Sequence, residues 1–571
     1  MKERICKLQS QEKSLPRCGA HRSLLLPEKL PSERWIAAGV FIVSCLYLSS
    51  FCRFTTLDPD EGIVLQGAER ILHGEVLYRD FFSFLTPGSY YLLALLFKTF
   101  GNSFIVARGA LAVYGGVFSV FTYWMARRVC CRWTALLTAY LVTATCLPWR
   151  FVVLHNWDST LCGCLAVYCA VLLAQVRQAG CAFVLGTFGC LTILFEQSKG
   201  VGLALGLLVG SSLLAWTRRA AISFGRVHKL ALLAGFAWPL LLTLGYFASH
   251  HALGALVNDL AWPLRHYSGV NRVLYGTADW SDEVRYALFA SGTRAERFVA
   301  LVTASPCFVI PALPILAALL LIQWTVAARF GRLSRDRAAY YLIVASSICG
   351  ALLSVIVTRP NVIHFVYLAP LFYLVLAWTI EGVDLPAGVV RALQPATAAV
   401  VLVTFTAVGM AFLISNRDAR AIVETRRGAL RTSEPDEMFG YVQAHVPANQ
   451  RILIYPYFPL GYYLTATFSA TRYEYLQPGM HTREQDEDVI RETEADRTAV
   501  VLFEPSFYGK IPTSWPNTPL FAIAVDPVAD YILGHYHSCA SLVSGAESRF
   551  AFMSRNGKPC PADMAAAQVR N

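Results

Sequence analysis

The chain has 571 residues, of which 55% are hydrophobic and 15% charged, and its mean hydropathy is +0.46. A soluble protein of this length carries far more charge, so a soluble globular enzyme is excluded. The net charge of +11 calls for no nucleic-acid partner, because much of it falls in short segments between apolar runs, where positive-inside bias puts it.

Residues 1–34 are polar and basic and do not read as a secretory signal, since a full-length apolar span follows with no convincing cleavage site. That span covers about 35–52, close to the ~20 residues a bilayer needs. Directly after it, Leu57-Asp58-Pro59-Asp60-Glu61-Gly62 places three carboxylates within four residues where the chain leaves the membrane. Asp58 suits a helix N-cap, Pro59 the first helical position, and Glu61 the third, which predicts a capping box. Ile63, Val64, Ala68, Ile71 and Leu72 then recur at helical spacing, with Gln66, Glu69, Arg70 and His73 on another face. Such a helix is too polar to span and is expected to lie along the interface. The acids either only start this helix or also carry chemistry.

A short apolar run at 89–100 holds Lys98 and reads as re-entrant or interfacial. Further spans are expected at about 104–126, 133–149, 159–176, 181–195, 200–216, 230–248, 298–323, 338–357, 362–380 and 396–415. Arg127, Arg128, Arg132, Arg177, Arg218, Arg219, Arg226, Lys229, Arg329, Arg332, Arg335 and Arg337 then share the inner side, which fixes an N-in, C-out reading with about eleven spans. The expected architecture is mainly α. A basic cytoplasmic segment (1–34) precedes a transmembrane bundle (35–415) with external loops 53–103 and 249–297. An extracytoplasmic α/β domain (416–571) follows. In this last part acids outnumber bases, strand-like runs occur at 451–455, 497–503 and 549–554, and helical patterns near 434–445, 484–495 and 527–536. The 16 cysteines lack metal-ligand spacing and most lie in apolar spans; Cys539 and Cys560 could pair if the tail is exported.

Polar groups at membrane depth are functional candidates because they are costly to hold there. Lys199 sits in a short turn between spans, and Arg359 and His364 bracket a later one; each has a structural alternative as a snorkelling, headgroup-binding or interhelical residue. His155 with Asp158 reads as a local hydrogen-bonded pair rather than a metal site. Arg79 and Asp80 in the first loop, and Arg265, His266 and Tyr267 with Trp262 and Tyr275 in the second, are candidates for a substrate loop or for interface anchors. A carboxylate at the membrane surface can deprotonate an acceptor, cations can stabilise a departing phosphate, and an apolar groove can hold a polyprenyl tail. Together these describe glycosyl transfer from a lipid-phosphate sugar.

The residues Asp60-Glu61 after the first span, Ala68, Gly74, Pro87-Gly88, Gly101, Ala107-Arg108, the stretch His364–Pro370, and the tail segments Tyr455–Leu464 and Thr471–Gly479 resemble the GT-C superfamily of polytopic glycosyltransferases. The similarity is to bacterial relatives of protein O-mannosyltransferases and of lipid A aminoarabinose transferases. It implies an inverting hexosyl- or pentosyltransferase of the bacterial inner membrane, with a polyprenyl-phosphate sugar as donor and a glycan, lipid or protein acceptor. Its site would face the periplasm. Asp60 would be the catalytic base with Glu61 beside it, and Lys199, Arg359 and His364 would hold the donor phosphate. No metal is inferred, although a divalent cation on Asp60 and Glu61 stays compatible with the sequence. The chain departs from many relatives in reading Thr86-Pro87-Gly88-Ser89 where they carry Lys-Pro-Pro-Leu. A lipid-linked saccharide transporter or flippase, and a non-catalytic cell-envelope assembly protein, are the competing readings.

Overall fold

A computed structural model describes residues 30–217, 225–278, 286, 288–289, 292–382, 389–546 and 548–560. The basic stretch 1–29, Arg218, Arg219 and the side chain of Tyr267 lie outside the described residues. The first apolar run forms α1 (Pro31–Ser49), and the acidic stretch opens α2 (Pro59–Leu72). The short run forms α3 (Gly88–Phe100), which runs through Gly101 into α4 (Phe104–Arg127). Next come α5 (Arg132–Thr145), α6 (His155–Val176), α7 (Ala179–Phe195), α8 (Gln197–Trp216) and α9 (Arg226–Ser249). After α10 (Leu253–Val270) the bundle closes with α11 (Arg294–Arg329), α12 (Arg335–Thr358), α13 (Val362–Val366), α14 (Ala369–Glu381) and α15 (Val389–Asp418).

Seven of these, α4, α6, α8, α9, α11, α12 and α15, are long and apolar enough to cross a membrane. The chain is an integral membrane protein. The other four runs read as spans are the shorter helices α1, α5, α7 and α14, of 19, 14, 17 and 13 residues. Two of the expected spans are interrupted. The 133–149 run leaves α-geometry at Cys146 and tightens into a 3-10 turn, Leu147–Arg150, because Pro148 has no amide to continue the ladder. The 362–380 run breaks at Tyr367 and Leu368, just ahead of Pro370. Both breaks come near the acidic stretch, where they turn side chains into the site.

Small residues bring helices into backbone contact. A Cβ on Gly202 of α8 would lie 2.3 Å from the Gly350 carbonyl oxygen of α12, and one on Gly206 would lie 2.4 Å from that of Ser346. This spacing of four is how helices pack where lipid offers no hydrophobic drive. At the other end of the bundle, the buried Glu33 of α1 accepts hydrogen bonds from Tyr123, Arg127 and Arg132, fastening α1 to α4 and α5.

The C-terminal part opens with an antiparallel hairpin, β1 (Ala421–Thr425) and β2 (Gly428–Thr432), and then α16 (Met438–His445). It continues through β3 (Arg451–Tyr455), α17 (Pro459–Thr465), β4 (Phe468–Ser469), α18 (Arg483–Asp496) and β5 (Val500–Phe503). Helices α19 (Phe507–Ser514), α20 (Leu520–Ala524) and α21 (Pro527–His535) lead to β6 (Tyr536–Ser544) and β7 (Ser548–Arg555). The five-stranded sheet has the order β4-β3-β5-β7-β6, parallel from β4 to β5 and antiparallel from β5 to β6. A disulfide joins Cys539 to Cys560.

Helix α2 does not lie free along an interface. Every residue from Glu61 to Arg70 is buried, held between the bundle and the C-terminal domain. Its contact with α17 is close: a Cβ on Gly62 would fall 1.9 Å from the Leu460 backbone nitrogen. Only glycine fits that crossing.

Candidate active site

The chain reaches the site through Leu57, whose φ of +57° is left-handed and unusual for a branched side chain. Its amide is held by the Thr55 hydroxyl at 3.0 Å. This bend sets Asp58 as the N-cap of α2, where its carboxylate accepts from the Asp60 amide at 3.1 Å. The predicted capping box does not form. Glu61 instead meets Arg108 of α4 in a two-pronged pair, both bonds 2.5 Å, and also accepts from the Val153 amide at 2.9 Å. Neither side chain of that pair is more than 1% exposed. Glu61, expected beside Asp60 in the chemistry, is therefore turned into the bundle, because the buried guanidinium is a stronger partner than its own backbone.

Asp60 points the other way, with 36% of its side chain exposed. Arg150, from the 3-10 turn, donates to Asp60 at 2.7 Å and to Asp58 at 2.8 Å, and its remaining nitrogen reaches the Tyr367 hydroxyl at 3.1 Å. From the C-terminal domain, the Tyr457 hydroxyl donates to the second Asp60 oxygen at 2.5 Å. Burial works to raise the Asp60 carboxyl, but Arg150, Tyr457 and the nearby His155 outweigh it and hold it below the usual carboxylate value. Asp60 is thus a carboxylate held toward its ionised form, partly open, fixed by one donor from the bundle and one from the C-terminal domain. Tyr367 packs edge-on against Trp157, with ring centroids 4.9 Å apart, and against His364 at 5.7 Å. His155, whose Nδ1 is buried without a hydrogen-bond partner, completes this wall.

The expected phosphate ligands are committed elsewhere. Lys199 is 5% exposed and donates to Glu196, the Asn156 carbonyl, Ser159 and Thr160, all within 3.1 Å. An ammonium has three protons, so these acceptors saturate it. Arg359 spans to the Ser514 carbonyl at 2.6 Å and to Asn271 at 3.3 Å, tying the end of α12 to the C-terminal domain. His364 shares a hydrogen bond of 2.5 Å with Asn361 and packs edge-on against Tyr367, while Lys199 approaches the same residue through Thr160, whose hydroxyl donates to the Tyr367 carbonyl. Arg79 and Asp80 pair with each other at 2.8 Å, and Asp80 accepts from the Val76 amide, so they close their own loop. Arg265 is exposed on α10, and His266 packs on Trp262 at 5.2 Å.

Arg150 and Tyr457 were not singled out from the sequence. Arg150 carried a weak signal, since it is a lone cation beside Pro148 at the outer end of an apolar run. Among the described residues, the group with metal-ligand proximity is His537, Cys539 and Cys560, and its two sulfurs are joined to each other.

No family model matches the chain, and no curated protein matches it in sequence. Solved structures do match in shape. ArnT from Cupriavidus metallidurans in the apo state superposes with a TM-score of 0.51 at 12% identity, over 92% of this chain and 98% of that one. The chain shares the fold of that structure. ArnT bound to undecaprenyl phosphate is also similar, with a TM-score of 0.48 at 11% identity over 93% and 99% of the two chains. So is the archaeal oligosaccharyltransferase AglB from Archaeoglobus fulgidus, in complex with an inhibitory peptide and a dolichol-phosphate (TM-score 0.44, 11% identity, 93% of this chain and 75% of that one). This arrangement puts α2 and its acidic first turn between the helical bundle and the C-terminal domain.

Proposed function

We propose that this chain transfers a sugar from a polyprenyl-phosphate carrier to an acceptor on the extracytoplasmic side, with Asp60 as the base. The observation that carries the reading is the Asp60 carboxylate, partly exposed and held between Arg150 and Tyr457. Asp60 would take the proton of the acceptor hydroxyl or amine. The acceptor atom would then bond to the anomeric carbon from the face opposite the phosphate, inverting that centre. The C–O bond to phosphate would break, and the electron pair would leave with the polyprenyl phosphate.

Arg150 is the cation for that phosphate, in place of the candidates Lys199, Arg359 and His364. It supplies positive charge at a site where Thr86-Pro87-Gly88-Ser89 has none, and its planar fork suits phosphate oxygens. While it rests on Asp58 and Asp60 it makes Asp60 a weak base. An arriving phosphate would draw it away and raise the proton affinity of Asp60 as the donor docks. A narrow crevice lined by Val64, Leu93, Leu96, Ala107, Leu111 and Leu154, with Ser89, Tyr114 and Asp158 among them, lies between α2, α3, α4 and α6; it would have to widen to take an isoprenoid tail. The Cys539–Cys560 disulfide fits an exported C-terminal domain, since such bonds persist in oxidising compartments.

The test is transfer of labelled sugar from polyprenyl-phosphate donors by protein in native membranes, wild type against Asp60→Asn at matched expression. Loss of transfer with unchanged thermal unfolding supports the base. Equal transfer removes Asp60 from the chemistry.

A further inference from the structure

A second crevice opens between α10, the loop at 80–86 and the segment 473–485 of the C-terminal domain. Its walls include Phe82, Phe84, Trp262, Tyr475, Gln477 and His481. The Phe84 and Trp262 rings are stacked, 5.4 Å apart and 17° from parallel, and Phe82 meets Trp262 edge-on at 5.6 Å. Four polar atoms in these walls have no hydrogen-bond partner: Trp262 Nε1, the Tyr475 hydroxyl, Gln477 Nε2 and His481 Nδ1. Gln477 is 3% exposed, so its amide donors are withdrawn from bulk water while remaining unused. His481 Nε2 lies 2.9 Å from Asp486, and its Nδ1 is the ring nitrogen left for a guest. Buried donors are normally satisfied, so this set points to a guest.

The chemistry defines the guest. Flat aromatic faces take an apolar C–H face, while an indole N–H, an amide N–H and an imidazole nitrogen take a rim of hydroxyls. A pyranose offers both at once. No charged group among these six walls would select an anion or a cation. The crevice also connects to the proposed base. Tyr475 meets Phe84 edge-on at 5.8 Å and Tyr457 edge-on at 5.8 Å, and Tyr457 holds Asp60.

Resting on the transferase reading, we propose that this crevice is the acceptor subsite and that it binds a pyranose ring of a glycan acceptor. The paired Phe84 and Trp262 rings form the aromatic wall against which the sugar packs, and Gln477 and His481 read its hydroxyls. The substrate loop is then the Trp262 face of α10 rather than the exposed Arg265.

The experiment uses the full chain in lipid nanodiscs and a panel of free pyranoses (glucose, mannose, galactose and N-acetylglucosamine), read by saturation-transfer difference NMR. At least one sugar should show saturable transfer to its ring protons, weakened at least tenfold in Gln477→Leu and in Trp262→Phe. The second variant keeps an aromatic ring beside Phe84 while removing the indole N–H and part of the ring face, so it remains informative where Gln477→Leu unfolds. Asp60→Asn should bind like wild type. If no sugar in the panel binds, or if both wall variants bind as wild type does, the donors serve a buried water only and the proposal is overturned. Wild-type binding that depends on Gln477, without any sugar transfer, would overturn the transferase reading and leave the crevice as a sugar site. Sugar transfer with no dependence on Gln477 or Trp262 would overturn the crevice alone.

Discussion

At the first turn of α2, Asp58 and Asp60 keep 18% and 36% of their side-chain surface exposed and share a single guanidinium, Arg150. Two turns later, Glu69 and Arg70 are buried and each is matched to a partner of its own. Glu69 takes Arg427 from the β1–β2 turn, and Arg70 takes Glu75 at 2.6 Å and Glu474 at 3.2 Å. Glu61 behaves like the second group through Arg108. One helix thus carries two kinds of charge. Those in its body are locked against three separate elements and hold the C-terminal domain on the bundle. Those at its tip are under-matched and face an opening. A buried pair resists change because removing one partner strands the other, whereas a shared, partly open pair can exchange its cation for a substrate.

Breaking the locked group should have the largest effect. Arg108→Met leaves the Glu61 charge buried without a partner, at a cost of about 3–5 kcal/mol, and is expected to abolish cooperative thermal unfolding of the purified protein. Adding Glu61→Gln to it should restore much of the loss. Next is Arg150→Gln at the open end. It should cut transfer by roughly 10²–10³ through lost phosphate stabilisation while leaving the unfolding temperature nearly unchanged.

Tyr457→Phe sharpens the contrast further. It removes the donor that orients the Asp60 carboxylate, so transfer should fall by about tenfold, the equivalent of ~1.4 kcal/mol. The wild-type kcat/KM profile should show no acid limb from Asp60 above pH 3.8, because its carboxyl lies below that value. In Tyr457→Phe the limb should move upward, a shift that a purely structural role for the tyrosine would not produce.

The smallest effect concerns pH and the locked end. Burial, opposed by Arg70, pushes Glu474 up to about 7 from an ordinary value of 4.5. A raised acid binds its proton more tightly when folded, so stability should decline as pH rises from 4.5 to about 7 and then level off. Glu474→Gln should flatten that slope, a change of a few degrees in unfolding temperature for a chain of this size.

Much of this architecture is local and so can be read along the sequence. Asp58 and Pro59 announce a helix start, and the helix runs Pro59–Leu72. The apolar runs mark the long helices, and β3 and α18 fall where alternation and helical periodicity put them. The tail hairpin Ala421–Thr432 and the polar strand β6 carry no such pattern, because their partners rather than their own periodicity make them strands. The site is harder still. The bonds that define it join Asp60 to residues 90 and 397 positions away, and no periodicity records which distant side chain a carboxylate will meet. For the same reason Glu61 reads as a cap or a catalytic neighbour until Arg108 is seen to claim it. Lys199 reads as a free cation until Glu196, Ser159 and Thr160 are seen around it.

The measurement that bears most directly on the division of α2 into a reactive tip and a locked body is sugar transfer by Asp60→Asn and Glu61→Gln side by side, normalised to folded protein. The account predicts that Asp60→Asn loses roughly 10²–10⁴ in rate with its unfolding temperature kept, as expected for removal of a general base. Glu61→Gln should lose stability while its surviving folded fraction transfers at close to the wild-type rate. Full activity in Asp60→Asn, or a rate collapse in well-folded Glu61→Gln, would contradict it.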